Sequence, residues 1–161
     1  MLDLSDPTLL IFGKLALAAV LGIALGTERA IFARQTAGSR TFGLVALGAC
    51  LFVIGGQIAS ESFLGIVNFD PARTLAAIVQ GIGFLGAGLI IFQGNSLHGV
   101  TTAAGLWVTA AIGALVALGQ IAVAIFATCL VMSIFLIMWY IEHALIRRYN
   151  DLQNESGEVN Q

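Results

Sequence analysis

The chain has 161 residues, of which 58% are hydrophobic and only 10% are charged, and its mean hydropathy is +0.96. A soluble domain of this length needs a polar surface, which seven Lys and Arg and nine Asp and Glu residues cannot provide. The net charge of −2 also argues against a nucleic-acid-binding surface. We therefore expect a membrane protein.

The first apolar run, residues 8–27, is long enough to cross a hydrocarbon core of about 30 Å. It carries a stripe of small residues at every fourth position, namely Ala18, Gly22 and Gly26. Lys14 lies about 9 Å along the same helix and on the side of this stripe, so we expect it to face protein. Two interpretations stay open, a lysine that snorkels to the outer interface and a charge that faces an internal polar site.

The loop after the first span gathers three of the six arginines of the chain, Arg29, Arg34 and Arg40. Short cytoplasmic loops collect Lys and Arg, so we expect this loop on the cytoplasmic side. Glu28 ends the first span, and the planar guanidinium of Arg40 suits a carboxylate, so the sequence favours an ion pair between these two residues. An inner gate or a docking surface is the alternative, and Thr41 is a candidate cap of the second helix.

The remaining spans follow from a long uncharged stretch. Residues 74–141 contain no Asp, Glu, Lys or Arg and would form a helix of about 100 Å if they did not fold back. Turn-forming residues at 93–99 and 118–120 divide the stretch, and a further apolar run precedes it. The predicted spans are residues 8–27, 41–59, 74–92, 100–118 and 121–141.

Five spans place the basic loop and the two arginines of the tail, Arg147 and Arg148, on the same cytoplasmic side. An even number of spans would separate them. The sequence therefore predicts an all-α polytopic membrane protein, a bundle of five transmembrane helices with the N-terminus outside and the C-terminus cytoplasmic. Residues 142–161 are predicted to form a short polar tail on the cytoplasmic side, and its acidic part after Arg148 is predicted to be disordered.

A group of polar residues surrounds the start of the third span. Asp70 before Pro71 is typical of an N-cap followed by the first helical residue. Arg73 and Gln80 follow on the same outer side as Lys14. These polar groups are candidates for one cluster on that side. Capping alone is enough to explain Asp70, and a further contact of its carboxylate with Lys14 or with a cation is the open alternative.

The third span also holds four glycines in eight positions, at Gly81, Gly83, Gly86 and Gly88. Small residues let transmembrane helices approach closely, and similar stripes occur in the first and fourth spans. Packing within one compact bundle is the favoured interpretation. The alternative is a flexible or locally broken helix that lines a substrate path, as glycine-interrupted helices do in transporters.

The fourth span begins with Thr101 and Thr102, at the same predicted depth as Glu28. Trp107 lies about six residues further along, deeper than a usual interfacial residue, so we expect its indole N–H to find a partner in the bundle. Trp139, near the end of the fifth span, fits an ordinary aromatic belt.

Several segments resemble the membrane domain of the MgtC/SapB family, namely LGTERAIFARQTAGSRTFGLVALGACLF, DPARTLAAIVQGIGFLGAGLIIF and GVTTAAGLWVTAAIGAL. The resemblance covers roughly residues 10–140. It implies a bacterial inner-membrane protein whose five spans occupy residues 1–141. Many relatives carry an ACT-like domain after the last span, and residues 142–161 are too few for one, so the short form is expected. The matching motif residues are Glu28, Arg29, Gly38, Arg40, Thr41, Asp70, Arg73, residues 81–88, Thr101, Thr102 and Trp107.

Two functions stay open. The resemblance implies a transport or permeation protein linked to magnesium homeostasis, which moves Mg²⁺, another ion or a small solute, as a monomer or a homo-oligomer. Its gates would be Lys14, Glu28, Asp70 and Arg73. The alternative is a regulatory protein that binds another membrane complex, such as the ATP synthase. Some relatives resemble inhibitors of that enzyme.

An enzyme is the least expected class, because the sequence has no Ser/His/Asp set, no H-E-x-x-H motif and no paired carboxylates. No cofactor is predicted, and the metal site stays unassigned because a single carboxylate beside arginines suits Mg²⁺ poorly. Cys50 and Cys129 lie inside apolar runs and read as small hydrophobic residues. The expected partners are the lipid bilayer, a second copy or another membrane protein, and no nucleic acid.

Overall fold

The computed structural model describes residues 6–32, 37–62, 70–94 and 96–158. The predicted orientation anchor Arg34 lies outside these residues. The described chain forms five helices, each long and apolar enough to cross a membrane, which confirms the predicted all-α fold with five spans. The elements are α1 (Pro7–Ile31), α2 (Ser39–Ser62), α3 (Pro71–Leu89), β1 (Ile91–Gln93), β2 (Ser96–His98), α4 (Val100–Ala117) and α5 (Ile121–Glu158).

Aspartate followed by proline starts two of the helices. The Asp6 side chain accepts a hydrogen bond of 2.8 Å from the backbone N–H of Thr8 at the start of α1. At the start of α3, Asp70 accepts from the backbone N–H groups of Ala72 and Arg73 at 2.9 and 3.3 Å. These bonds satisfy N–H groups that have no partner within the helix, and they confirm the predicted N-cap at Asp70.

A short β-hairpin separates α3 from α4, where the sequence predicted only a turn at 93–99. The helix ends at Leu89 rather than at residue 92, and β1 pairs antiparallel with β2 from Ile91 opposite His98 to Gln93 opposite Ser96. Branched and aromatic residues at 90–92 favour extended structure, and Gly94 supplies a positive φ of 62° in the turn. Hydropathy alone did not separate this hairpin from the preceding span.

The last helix is much longer than predicted. α5 continues from Ile121 to Glu158, so the expectation of disorder after Arg148 is wrong for the described residues. The sequence from 142 onward is rich in good helix formers and contains no proline, and its first glycine is Gly157. The helix therefore continues beyond the apolar stretch that marks the span.

Helix α4 lies at the centre of the bundle and contacts the other four helices. Its glycines allow close approach: a Cβ atom at Gly113 would press against the Ala46 backbone of α2. Between α1 and α2, a Cβ atom at Gly22 would lie 2.6 Å from the carbonyl oxygen of Phe42. The small-residue stripes of the first and fourth spans thus serve helix packing, as predicted.

The glycines of α3 behave differently from this pattern. A Cβ atom at Gly81, Gly83 or Gly88 would meet nothing within 4 Å in the described part of the chain, and at Gly86 it would make an ordinary 3.5 Å contact with Ala103. The favoured prediction of close packing is therefore wrong for three of the four. The helix is also continuous rather than locally broken. Most of its side chains are exposed, so α3 lies at the edge of the bundle.

Candidate functional site

A polar pocket of about 960 Å³ lies where the C-terminal end of α1 meets the first turn of α4 and the middle of α5. Its charged groups come from α1 and α5, and aromatic side chains form much of its wall. In the predicted orientation the pocket is on the cytoplasmic side. It is lined by Glu28, Arg29, Ile31, Phe32, Thr101, Ile134, Phe135, Met138, Trp139, Glu142 and His143.

Arg29 is held inside this pocket by two neighbours. One terminal nitrogen, Nη2, donates a hydrogen bond of 3.1 Å to the Thr102 hydroxyl, and the guanidinium carbon lies 4.9 Å from the centre of the Phe135 ring. The side chain is only 7% exposed, and its Nε–H has no hydrogen-bond partner among the described residues. Arg29 is thus fixed in position with one donor unused.

Glu28 is buried to a similar degree and also has one polar atom without a partner among the residues that the structure describes. It is 4% exposed, and its Oε2 atom has no hydrogen-bond partner in the described ranges. The predicted ion pair with Arg40 is wrong, because Arg40 is exposed and lines a groove between α2 and α3. Ser39 contacts Gly26 of α1, and the next residue is rotated by about 100°, so Arg40 points away from α1.

The rim of the pocket contains an aromatic cluster that the sequence analysis missed. Trp139 donates its indole N–H to the carbonyl oxygen of Phe32 at 3.1 Å and packs against the Phe32 ring at 5.2 Å between centroids. His143 lies 4.2 Å from the Trp139 ring, and its Nδ1 is 2.9 Å from the Trp139 carbonyl oxygen. The signal was present, because Phe135, Trp139 and His143 recur at every fourth position of one helix.

This arrangement suits a small polar solute or a hydrated cation. Two carboxylates, Glu28 and Glu142, line the same pocket as the Arg29 guanidinium. The described residues contain no group of three side chains that would hold a bare metal ion. Mg²⁺ nevertheless keeps several of its waters in proteins and is commonly bound through one or two carboxylates.

Trp107 does not take the position predicted for it. It is 52% exposed on the face of α4 that points away from the other helices, and its indole N–H has no hydrogen-bond partner in the part of the chain described. Gly105 contacts the rings of Phe42 and Phe135, and Trp107 lies about 200° around the helix from it. The expectation of a partner inside the bundle is therefore wrong for the single chain.

Lys14 faces protein, as predicted, at the opposite end of the bundle. Its Nζ donates a hydrogen bond of 2.9 Å to the carbonyl oxygen of Ala117, the last residue of α4. Carbonyl groups in the last turn of a helix lack partners within it and attract cations. The predicted outer cluster does not form, because Asp70, Arg73 and Gln80 are exposed and Asp70 caps α3.

Replacing Lys14 by methionine is expected to weaken the contact between α1 and α4. The variant Lys14→Met loses a charge-assisted hydrogen bond, which we expect to lower the free energy of unfolding by about 1.5–3 kcal/mol. Unfolding of the detergent-solubilised protein with increasing SDS measures the change. Gln80→Met, which alters an exposed polar residue of α3, is the control and should change stability by less than about 0.5 kcal/mol. Equal losses in both variants would contradict the assignment.

A second cavity collects most of the other predicted site residues. A groove of about 820 Å³ runs between α2 and α3, with Arg40 and Thr41 near one end and Arg73 and Thr74 near the other. Gly81 lines its middle. The structure therefore separates the predicted residues into the polar pocket, the Lys14 contact and this groove.

Comparisons with known proteins identify the relatives of the chain. The sequence profile described as "MgtC family" matches residues 15–144. A protein of Escherichia coli (strain K12) named "Putative magnesium transporter YhiD" is 39% identical over 127 residues, which cover 76% of this chain and 59% of that protein. "Protein MgtC" of Salmonella typhimurium (strain LT2) is 41% identical over 119 residues, which cover 74% of this chain and 48% of the relative.

The chain spans about half the length of the curated relatives that it matches, since the shared region covers between 48% and 59% of the two just described. No solved structure matches it significantly. The matched region, residues 15–144, contains all of the charged and aromatic residues that line the polar pocket. The chain belongs to the MgtC family.

Proposed function

We propose that this protein transports Mg²⁺, or another ion or small polar solute, across a bacterial inner membrane as part of magnesium homeostasis. The observation that carries the proposal is the buried, incompletely paired Glu28 in a large pocket of a membrane-spanning bundle. The name of one relative supports the same direction, because the Escherichia coli (strain K12) protein is named "Putative magnesium transporter YhiD". The chemical function assigned to the pocket is the reversible capture of a hydrated cation.

The buried charge of Glu28 carries a cost in free energy. An ionised group inside a membrane protein costs several kcal/mol unless it is paired, and such groups commonly mark ion and substrate pathways. Glu28 has the unused acceptor Oε2, and Arg29 has the unused donor Nε–H. A cation with bound waters would supply donors to Glu28, while the positive charge of Arg29 would keep its binding weak. Conduction requires binding that is weak enough for the ion to leave.

The route from the pocket to the opposite side is closed in the present conformation. Four side chains fill the core between the depth of Glu28 and the depth of Lys14 in the bundle. They are at most 1% exposed and belong to Leu25, Phe42, Leu106 and Thr109. Transport therefore needs a movement of helices around the bound solute, as in proteins with alternating access. Helix α3 is the candidate mobile element, because few of its side chains are buried.

A liposome assay tests the proposal. The purified full chain, shown to be helical and monodisperse, is reconstituted into liposomes that contain a Mg²⁺ indicator, and an inward Mg²⁺ gradient is applied. We expect an indicator signal above that of protein-free liposomes, with saturation at high Mg²⁺ concentration. Parallel assays with H⁺, K⁺ and Ca²⁺ establish selectivity. A folded protein that moves none of these ions would contradict transport.

A regulatory role is the second candidate, and a different observation favours it. The faces of α3 and α5 carry many exposed apolar side chains, and Trp107 is exposed on α4. Apolar side chains alone match lipid, but Trp107 lies deeper than a usual interfacial aromatic residue, where lipid tails offer its indole N–H no acceptor, so this face suits a membrane partner such as the ATP synthase. Photo-crosslinking from position 107 in native membranes tests this role. We expect a specific adduct if it is correct, and a protein that crosslinks only to itself or to lipid would contradict it.

A further inference from the structure

The groove between α2 and α3 combines an apolar floor with a basic group near each end. Small residues form the floor, with Gly48 and Ala49 on α2 and Ala77 and Gly81 on α3. Arg40 and Arg73 are both exposed, and no ion pair holds either of them within the described ranges. No acidic side chain lines the groove. This is the distribution of polarity that an amphiphile with a negative head requires.

The dimensions of the groove limit what can occupy it. The wall that α2 contributes extends about 18 Å from Arg40 to Phe52, within a hydrocarbon core of about 30 Å. The groove has a volume of about 820 Å³. It is therefore long enough and large enough for acyl chains.

The two arginines differ in their surroundings, and this difference places the head of the amphiphile. Arg73 lies three residues after Asp70, whose carboxylate caps α3 and would repel a phosphate. Arg40 has no acidic neighbour in the groove, and Thr41 beside it offers a hydroxyl donor. A guanidinium with an adjacent hydroxyl suits a phosphate group, which accepts paired hydrogen bonds from the planar fork of arginine.

We propose that the groove is a binding site for an anionic phospholipid, with the phosphate on Arg40 and the acyl chains between α2 and α3. The lipid fills a space that the small residues leave open, and it supports α3, which few protein contacts hold at this edge of the bundle. In the predicted orientation the lipid belongs to the cytoplasmic leaflet. This site is separate from the polar pocket, and the proposal does not depend on what the pocket transports.

Native mass spectrometry of the delipidated full chain tests the proposal. Phosphatidylglycerol and phosphatidylcholine with identical acyl chains are added in turn, and the retained lipid is counted. We expect wild type to retain phosphatidylglycerol preferentially, and Arg40→Gln to reduce its retention about tenfold because a charge-assisted contact is lost. Arg73→Gln is the matched control, and we expect it to change retention by less than about twofold. Equal effects of the two substitutions would overturn the assignment of the head group.

A second variant tests the place of the acyl chains. A Cβ atom at Gly48 would meet nothing within 4 Å in the described chain, so Gly48→Leu is expected to fold while its side chain fills the groove. We expect it to reduce the retention of both lipids by about fivefold, with an unchanged helical circular dichroism spectrum. Unchanged retention in a folded variant would overturn the proposal.

Two further outcomes distinguish other occupants of the groove. Inorganic phosphate in excess should not displace the retained lipid, since it has no acyl chain, and full displacement would mean that Arg40 holds only an anion. A wild-type dimer that Gly48→Leu converts to a monomer, without any change in lipid retention, would assign the groove to a second copy instead. Either result would overturn the lipid site.

Discussion

An alanine at Gly113 is expected to destabilise the bundle strongly. In Gly113→Ala, the added methyl group would lie 2.8 and 2.9 Å from the carbonyl carbon and the Cα atom of Ala46. Both atoms belong to the backbone of α2, which cannot yield in the way that a flexible side chain can. We expect the free energy of unfolding to fall by about 3 kcal/mol, at the upper end for an overpacked core. SDS-induced unfolding, followed by circular dichroism, measures the loss.

The control for this variant is a glycine in α2 that has free space around it. A Cβ atom at Gly55 would meet nothing within 4 Å in the described residues. Alanine is about 1 kcal/mol better than glycine in a helix interior, so Gly55→Ala should leave stability unchanged or raise it. The two variants add the same methyl group and are expected to act with opposite sign. Similar destabilisation in both would contradict the assignment of Gly113 to the contact between α2 and α4.

The number and type of the spans were predictable, because bilayer thickness sets a minimum apolar length that five segments of this chain meet. The ends of the elements were less predictable. Residues 90–92, which lead into the hairpin, continue the apolar run of the span before it, and only their local preference for extended structure separates them from the helix. The helix continues after residue 141, where the apolar run of the span ends, and its part after Arg148 was predicted to be disordered because polar composition was weighed above helix propensity.

The sequence predicted how deep in the membrane the residues of the candidate site lie, but not the side of each helix on which their side chains lie. Depth follows from position along a span, and it correctly grouped Glu28 and Arg29 with the start of α4, where Thr102 accepts from Arg29. Direction requires an apolar face and a polar face, and α2 and α4 are apolar nearly all round. The sequence therefore assigned Arg40 to Glu28 and placed Trp107 inside the bundle. Only the packing of the helices determines these directions.

The variant Glu28→Gln is expected to abolish transport without weakening the fold. Glutamine keeps the volume of the side chain but removes a buried negative charge whose Oε2 has no partner in the described chain. The free energy of unfolding should therefore stay the same or rise by up to about 2 kcal/mol. Mg²⁺ flux into liposomes should fall at least about tenfold, because the carboxylate that attracts the cation is gone. Glu61→Gln, an exposed carboxylate of α2, should leave flux unchanged.

A substitution of the neighbouring residue, Arg29, is expected to lower stability, unlike Glu28→Gln. Comparing the two variants separates effects on the fold from effects on transport. Arg29→Met removes the hydrogen bond to Thr102 and the contact with Phe135. Losing a charge-assisted hydrogen bond and a cation–π contact in this way typically costs about 2–4 kcal/mol of stability. The double variant Glu28→Gln/Arg29→Met should recover part of this loss but no flux. If Glu28→Gln instead unfolds as readily as Arg29→Met, the carboxylate is a structural partner of Arg29 and the polar pocket loses its assigned role in transport.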